Sequence, residues 1–408
     1  MLKRISLTLM SIYLALGPII WFASYSLGTV KRILFFLVIV SFLGCFKPLK
    51  IKGLSFLLLT ALYVFMSLVM TRSLGEDGLS SFLLGVLEEY FFFVIGFNIA
   101  KTTFFNGSKY VGTIVLFPLV GALLTVMNYM VGVPNWTVPG EELRYAELSE
   151  FGYEIRALWA SGFSWGRNGW GCTLSLVLPL CFILRKKMHT YVAWLIIMSS
   201  IFLCGNRNGV LAATLSLALF LVLNRDKANK RSTILLIVLA VALVLTIFGI
   251  SGIYSTFRLD SSDITAGRSA QYLFIGEIIK EMGFWGLGFK GTNAFFATCG
   301  LGDHAFHNAY LNMVFQYGWI MIIFLLPIIV IAIKSIILGL KDKNTVHASM
   351  ALIIFSGLML ALFEPTVIFG SLGGYAIWWF AFGYLLSVQK NLPDKETYKL
   401  SEKHGRIC

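Results

Sequence analysis

The chain has 408 residues, 58% of them hydrophobic and 13% charged, with a mean hydropathy of +0.81 and a net charge of +13. Soluble globular domains carry about 25% charged residues, so this composition excludes one. It indicates an all-α polytopic membrane protein, because lipid offers a backbone no partner outside its own helix. The short alternating segments of a membrane barrel are absent. No basic run alternates with aromatics in a soluble stretch, so nucleic acid is excluded as a partner and the charge reads as a Lys/Arg excess in cytoplasmic loops.

A helix needs about 20 apolar residues to cross a bilayer. In chain order the predicted spans are Ile5–Tyr25, a short Ile33–Phe46, Leu54–Met70, Phe82–Ala100, Tyr110–Val131 and Asn168–Leu184. They continue with Tyr191–Gly205, Val210–Leu223, Thr233–Ile250, Trp319–Leu338, Val346–Phe363 and Leu372–Val388, twelve in all. The apolar run after Lys3-Arg4 is too long for a signal-peptide core and reads as the first span. With the N-terminus inside, most of the 33 basic residues fall in cytoplasmic segments, among them Lys47, Lys50, Lys52, Arg185, Lys186, Lys187, Arg225, Lys227, Lys230 and Arg231.

Both termini are then cytoplasmic. The expected organisation is nine spans over 1–250 with an outer loop at 132–167, then a large extracytoplasmic loop over 251–318. Three spans over 319–388 and a cytoplasmic tail over 389–408 follow. A site on the outer face has no access to ATP or nucleotide sugars and needs a substrate already activated and flipped. Accordingly, no P-loop or dinucleotide glycine fingerprint is present, and no internal repeat marks an inverted-repeat transporter. The six cysteines show no CxxC spacing and suggest neither a disulfide framework nor a zinc site.

Candidate chemistry gathers in the outer segments. The loop at 132–167 carries Glu141, Glu142, Arg144, Glu147, Glu150, Glu154 and Arg156; most of these charges read as a solvated face, with Arg156 kept as a candidate substrate contact. Arg207 stands in Cys204-Gly205-Asn206-Arg207-Asn208-Gly209, between two apolar spans. An arginine there either snorkels from a helix end or binds an anion at the positive end of the following helix.

Arg268 follows Gly267 and opens a stretch with Tyr272, Ile275, Ile279 and Met282 at helical spacing. That helix is expected to lie on the membrane with one apolar face down. Two arginines suit a pyrophosphate, since each guanidinium makes bidentate contacts with phosphate oxygens; a salt bridge from Arg268 to Asp263 is the plain alternative.

His307-Asn308 opens the helical run containing Tyr310, Leu311, Val314 and Phe315. A histidine there is disfavoured as a cation by the helix dipole and can accept a proton from a hydroxyl; polar surface is the plain alternative. Asp303 and His304 beside it raise a metal alternative, but the spacing matches no strong zinc pattern. Glu88-Glu89 and Glu364, placed in or at the end of spans, fit either a transport pathway or internal ion pairs.

Taken in order, Asn206-Arg207-Asn208-Gly209, Gly267-Arg268, Trp285-Gly286-Leu287-Gly288-Phe289, His307-Asn308-Ala309-Tyr310-Leu311 and Gly318-Trp319-Ile320 form a set. That set resembles the O-antigen ligase/polymerase (Wzy/WaaL-type) superfamily over about 168–338. The resemblance implies a C-type glycosyltransferase-like membrane fold in the bacterial inner membrane, with no metal or other cofactor. It implies an undecaprenyl-pyrophosphate-linked glycan as donor and neighbours such as a flippase and chain-length regulator proteins.

By that resemblance Arg207 and Arg268 would hold the pyrophosphate and His307 would orient or deprotonate the acceptor hydroxyl, with Asn206, Asn308, Tyr310 and His304 as further substrate contacts. Three positions depart from the family's pattern: Asn206 replaces the usual Ser/Thr, the frequent Pro before the Gly-x-Gly is missing, and Gln316 stands where an acidic residue is common. The stretch 249–318 is expected to carry Arg268 and His307 over the Arg207 junction, as a lid above a lipid-facing cleft.

Overall fold

A computed structural model describes residues 2–20, 25–45, 76–100, 108–131, 167–184, 187–223, 268–300, 306–342, 344–365 and 376–390, with 234 and 368 singly. These residues are 88% helical, and no strand occurs among them. In chain order the helices are α1 (Leu2–Ile20), α2 (Tyr25–Cys45), α3 (Glu76–Ile99), α4 (Ser108–Val131) and α5 (Arg167–Val177), which tightens into a 3₁₀ turn over Leu178–Ile183. There follow α6 (Lys187–Leu203), α7 (Arg207–Leu223), α8 (Arg268–Leu273), α9 (Ile275–Glu281), α10 (Gly288–Thr298), α11 (Ala309–Tyr317), α12 (Ile320–Lys341), α13 (Thr345–Ala361) and α14 (Ala376–Lys390).

Two of these, over Tyr110–Met127 and Ile320–Lys341, are long and apolar enough to cross a membrane. The predicted segments Leu54–Met70 and, but for Ile234, Thr233–Ile250 lie outside the described residues; every other predicted span falls on a helix. The first helix is described to Ile20, residues 21–24 lie outside the described residues, and the second is helical already from Tyr25, ahead of the expected Ile33. Lys31 and Arg32 lower the local hydropathy of α2 but are good helix formers, so the charge interrupts the apolar pattern without interrupting the helix.

One large core joins α1–α7 with α12–α14. Its tightest seam is between α3 and α14. A Cβ at Gly96 would overlap the Phe380 carbonyl, and one at Gly383 would overlap the Phe93 carbonyl. Small residues let two helix backbones meet where no water is expelled to drive association, and Phe93 fills the flanks against Trp379 and Phe382 with ring centroids 6.5 and 5.7 Å apart. A second close approach joins α5 to α7, where a Cβ at Gly171 would run into Asn206 and one at Gly209 would press on the Gly171 carbonyl. Ser175 Oγ bridges the same seam, donating one proton between the Gly171 and Gly209 carbonyls at 2.7 and 3.0 Å.

The described part of the predicted large loop is folded. Helices α8–α11 enclose a small core of their own made of Ile278, Met282, Phe295, Phe296, Phe306, Val314 and Phe315. Phe306 is its centre, in ring contact with Tyr272, Phe296 and Phe315 at 5.0, 5.7 and 5.3 Å. This corrects the expectation of one surface helix through Tyr272, Ile275, Ile279 and Met282. The chain breaks at Phe274 into α8 and α9, and Ile278 and Met282 are buried in the small core rather than turned toward lipid. We call this unit the cap.

Helix α11 joins the two cores. At about 100° per residue, Ala309, Tyr310, Met313 and Tyr317 form one sector, packed in the large core. Leu311, Val314 and Phe315 form a second sector, packed in the small one. Asn308, Asn312 and Gln316, four residues apart, make a third, which is polar and buried. A helix with no solvent face must satisfy its polar side chains internally, and the partners of that third sector define the site.

Candidate functional site

The first turn of α7 is built by Asn206. Its Oδ1 accepts from the Gly209 amide at 2.9 Å, and its Nδ2 donates to the Asn168 carbonyl on α5. Asn206 is therefore the N-cap of α7, a role that a Ser or Thr would also fill there. Arg207 is the first residue of α7 and is half-buried. A cation at a helix N-terminus is opposed by its own helix dipole, so Arg207 and the start of α7 together form a positive locus suited to an anion.

The next residue ties this locus to the end of α13. Asn208 Nδ2 donates to Glu364 Oε1 at 2.6 Å, a short bond of the kind a carboxylate acceptor makes. Glu364 is buried just past the C-terminus of α13. Its placement gives Glu364 a definite partner on α7. Glu88 and Glu89 are also buried, on α3, where they act electrostatically on Tyr13 of α1 and Tyr317 of α11 respectively.

The polar sector of α11 lands on the same few residues. Asn308 caps α11, its Oδ1 accepting from the Leu311 amide at 3.1 Å, while its Nδ2 donates to the Leu362 carbonyl at 3.1 Å. Asn312 Nδ2 donates to the Pro365 carbonyl at 3.5 Å and its Oδ1 accepts from Gln316 Nε2 at 3.4 Å. Tyr310 adds a fourth tie, its hydroxyl donating to the Leu358 carbonyl at 2.9 Å. Burial pushes that phenol above its ordinary range, so it remains a donor.

His307 sits one residue ahead of the Asn308 cap, half-buried, with Nδ1 in the interior. Its backbone amide donates to Gln271 Oε1 at 3.0 Å. Gln271 is buried one turn into α8, the helix that Arg268 opens. The three predicted segments are thus linked in sequence: α8 to His307 through Gln271, α11 to α13 through Asn308, and α7 to α13 through Asn208 and Glu364. Arg156 and His304 lie outside the described residues, as does Asp303 of the metal alternative.

Two further motifs prove to be one contact. A Cβ at Gly286 would overlap the Gln316 carbonyl and the Gly318 amide, and a Cβ at Gly318 would overlap the Phe284 carbonyl and the Gly286 amide. Both glycines have positive φ, +78° and +81°, a region that L side chains rarely adopt. The Leu287 amide donates to the Phe315 carbonyl at 2.9 Å across the same seam. The Trp-Gly-Leu-Gly and Gln-Tyr-Gly-Trp stretches close the α9–α10 turn of the cap onto the end of α11.

Sequence reasoning alone did not give Gln271, Asn312 or the Asn208–Glu364 pairing. The four-residue spacing of Asn308, Asn312 and Gln316 was the available signal, because an amide stripe on an apolar helix asks for polar partners. Neither a protein-family model nor a curated protein matches the sequence.

Proposed function

We propose that this protein is a polymerase of undecaprenyl-pyrophosphate-linked oligosaccharide repeat units, making O-antigen or capsular polysaccharide. It would be a multi-pass protein of the bacterial inner membrane with both termini cytoplasmic and its site on the extracytoplasmic face. The observation that supports this reading is that the Arg207 and His307 segments meet at the end of α13 through Asn208–Glu364 and Asn308–Leu362, while the helix opened by Arg268 reaches the His307 backbone through Gln271.

In this reading an acceptor sugar hydroxyl attacks the anomeric carbon of the donor glycan and the lipid pyrophosphate leaves. Charge develops on the leaving oxygens in the transition state, so donors fixed in advance at that position are the main requirement. Arg207 and the positive end of α7 supply one such group, and Arg268 is assigned the second. His307 takes the acceptor proton. Asn206, Asn308 and Tyr310 have their side chains engaged in the fold, and we assign them to positioning these groups.

The test is a surface-polysaccharide gel on a deletion strain complemented with variants. The strain is expected to show single-repeat chains only, and His307→Ala or Arg207→Ala is expected to leave it so. Polymer of normal length and amount with His307→Ala overturns the enzyme reading. Carrier-linked polymer accumulating without transfer to lipid A–core means an O-antigen ligase instead. If Glu88→Gln and Glu89→Gln abolish all extracytoplasmic repeat units while His307→Ala does not, the protein is a flippase.

A further inference from the structure

The cap carries an exposed aromatic turn where its contact with the bundle ends. Phe284 is 54% exposed and Trp285 56%, their rings in edge contact at 5.1 Å. The Gly286–Gly318 apposition fixes this turn beside Trp319, itself 43% exposed, immediately before α12. Three large aromatics therefore lie near one end of α12, the more apolar of the two candidate spans among the described residues.

From that end an exposed stripe runs the length of α12 through Ile323, Leu326, Val330, Ile333 and Ile337, alternating three- and four-residue steps so that it stays on one face. Twenty-two residues of α12 extend roughly 33 Å, close to the ~30 Å hydrocarbon core of a bilayer. Tryptophan belongs at the ends of such a stripe, where its ring sits among lipid headgroups and the indole N–H still reaches water, and a neighbouring phenylalanine adds apolar surface that enters the acyl boundary.

We propose that Phe284, Trp285 and Trp319 form an interfacial anchor that inserts into the headgroup–acyl boundary of the membrane and holds the cap down at the outer surface. The occupant of this aromatic patch is lipid because Trp319 continues the bilayer-length stripe of α12 one turn before Ile323 and the Gly286–Gly318 approach holds the Phe284–Trp285 turn beside it. The membrane-seated element is then the turn after α9 rather than the α8–α9 helices. Because the turn is locked backbone to backbone against the end of α11, its depth sets the height of His307 above the lipid. The inference rests on the membrane reading under Proposed function but not on the identity of the glycan.

The experiment uses the full chain reconstituted into phosphatidylcholine–phosphatidylglycerol vesicles, with and without bromine on the acyl chains near the headgroup. The emission of Trp285 is taken as the difference between wild type and Trp285→Phe, a change that keeps an aromatic ring in the turn, and Trp319→Phe gives a second position. The difference emission is expected to fall in brominated vesicles relative to unbrominated ones, because the ring sits at the headgroup–acyl boundary, and to respond little to aqueous iodide. Quenching by iodide with no response to bromine overturns the proposal, since the indole is then in water. Insensitivity to both, with emission that changes with protein density, overturns it in favour of a second copy covering the patch. Failure of the chain to enter vesicles overturns the membrane reading and the anchor with it, whereas normal insertion with an unquenched Trp285 overturns the anchor alone.

Discussion

The bundle and the cap solve the same packing problem at different scales. Among the described residues the bundle buries side chains from eleven helices, α11 included, in one core and brings α3 and α14 together through Gly96 and Gly383. The cap has seven buried hydrophobic residues centred on Phe306 and relies on two positive-φ glycines to close its α9–α10 turn onto the end of α11. A core that small supplies little stability on its own, so the cap depends on α11, which lies in both. The lesson is that candidate reactive residues stand where a stable framework meets a marginal one. Such a junction allows local opening without loss of the bundle.

This contrast can be tested from its largest expected consequence downward. Phe306→Ala removes the ring at the centre of the small core, and truncation of a buried Phe costs about 3–5 kcal/mol. The expected outcome is loss of hydrogen-exchange protection across α8–α10 with the thermal transition of the bundle retained. Gly383→Ala should do the reverse. Its Cβ overlaps backbone rather than a flexible side chain, so a penalty of ~3 kcal/mol is expected, read as a lowered midpoint of thermal unfolding in detergent. If both variants lower the same single transition, cap and bundle are one cooperative unit and the distinction fails.

Smaller changes sharpen the junction itself. Asn206→Ala removes the α7 cap and should cost about 1–2 kcal/mol, while Asn206→Ser should recover most of it, measured as stability and polymer yield together. Asn312→Ala breaks the amide stripe of α11 and leaves the Pro365 carbonyl without that donor, an expected loss of about 1 kcal/mol. Glu364→Gln keeps an acceptor for Asn208 but removes the charge. Its stability effect is expected to be under ~1 kcal/mol, with a change in polymer yield reporting the electrostatic balance near Arg207.

Much of this was legible in the chain, and the failures have physical causes. Apolar length gave the helices, since burial and backbone satisfaction act locally. It misjudged the start of α2, because Lys31-Arg32 change hydropathy without changing helicity. The ordered motifs and the resemblance they carry imply that Arg207, Arg268 and His307 belong together but not how, since hydrogen bonds such as Asn208–Glu364 span 156 positions. Gly286 and Gly318 were visible as motif residues, but that each leaves room for the other's backbone is a fact of tertiary approach. Tyr272, Ile275, Ile279 and Met282 had the right period for an amphipathic helix; the period says that a face is apolar and not what covers it.

The central claim is that the α7 and α11 starts are anchored on one stretch at the end of α13. Its most direct test is site-directed cross-linking in vesicles, with the native cysteines replaced. Asn208→Cys/Glu364→Cys and Asn308→Cys/Leu362→Cys are each joined by a short bis-thiol reagent, and Asn208→Cys/Phe220→Cys, roughly 18 Å apart along α7, serves as control. The account predicts rapid linkage of both test pairs and none of the control. Linkage of only one pair, or of neither, would place Arg207 and His307 on separate parts of the molecule and contradict it.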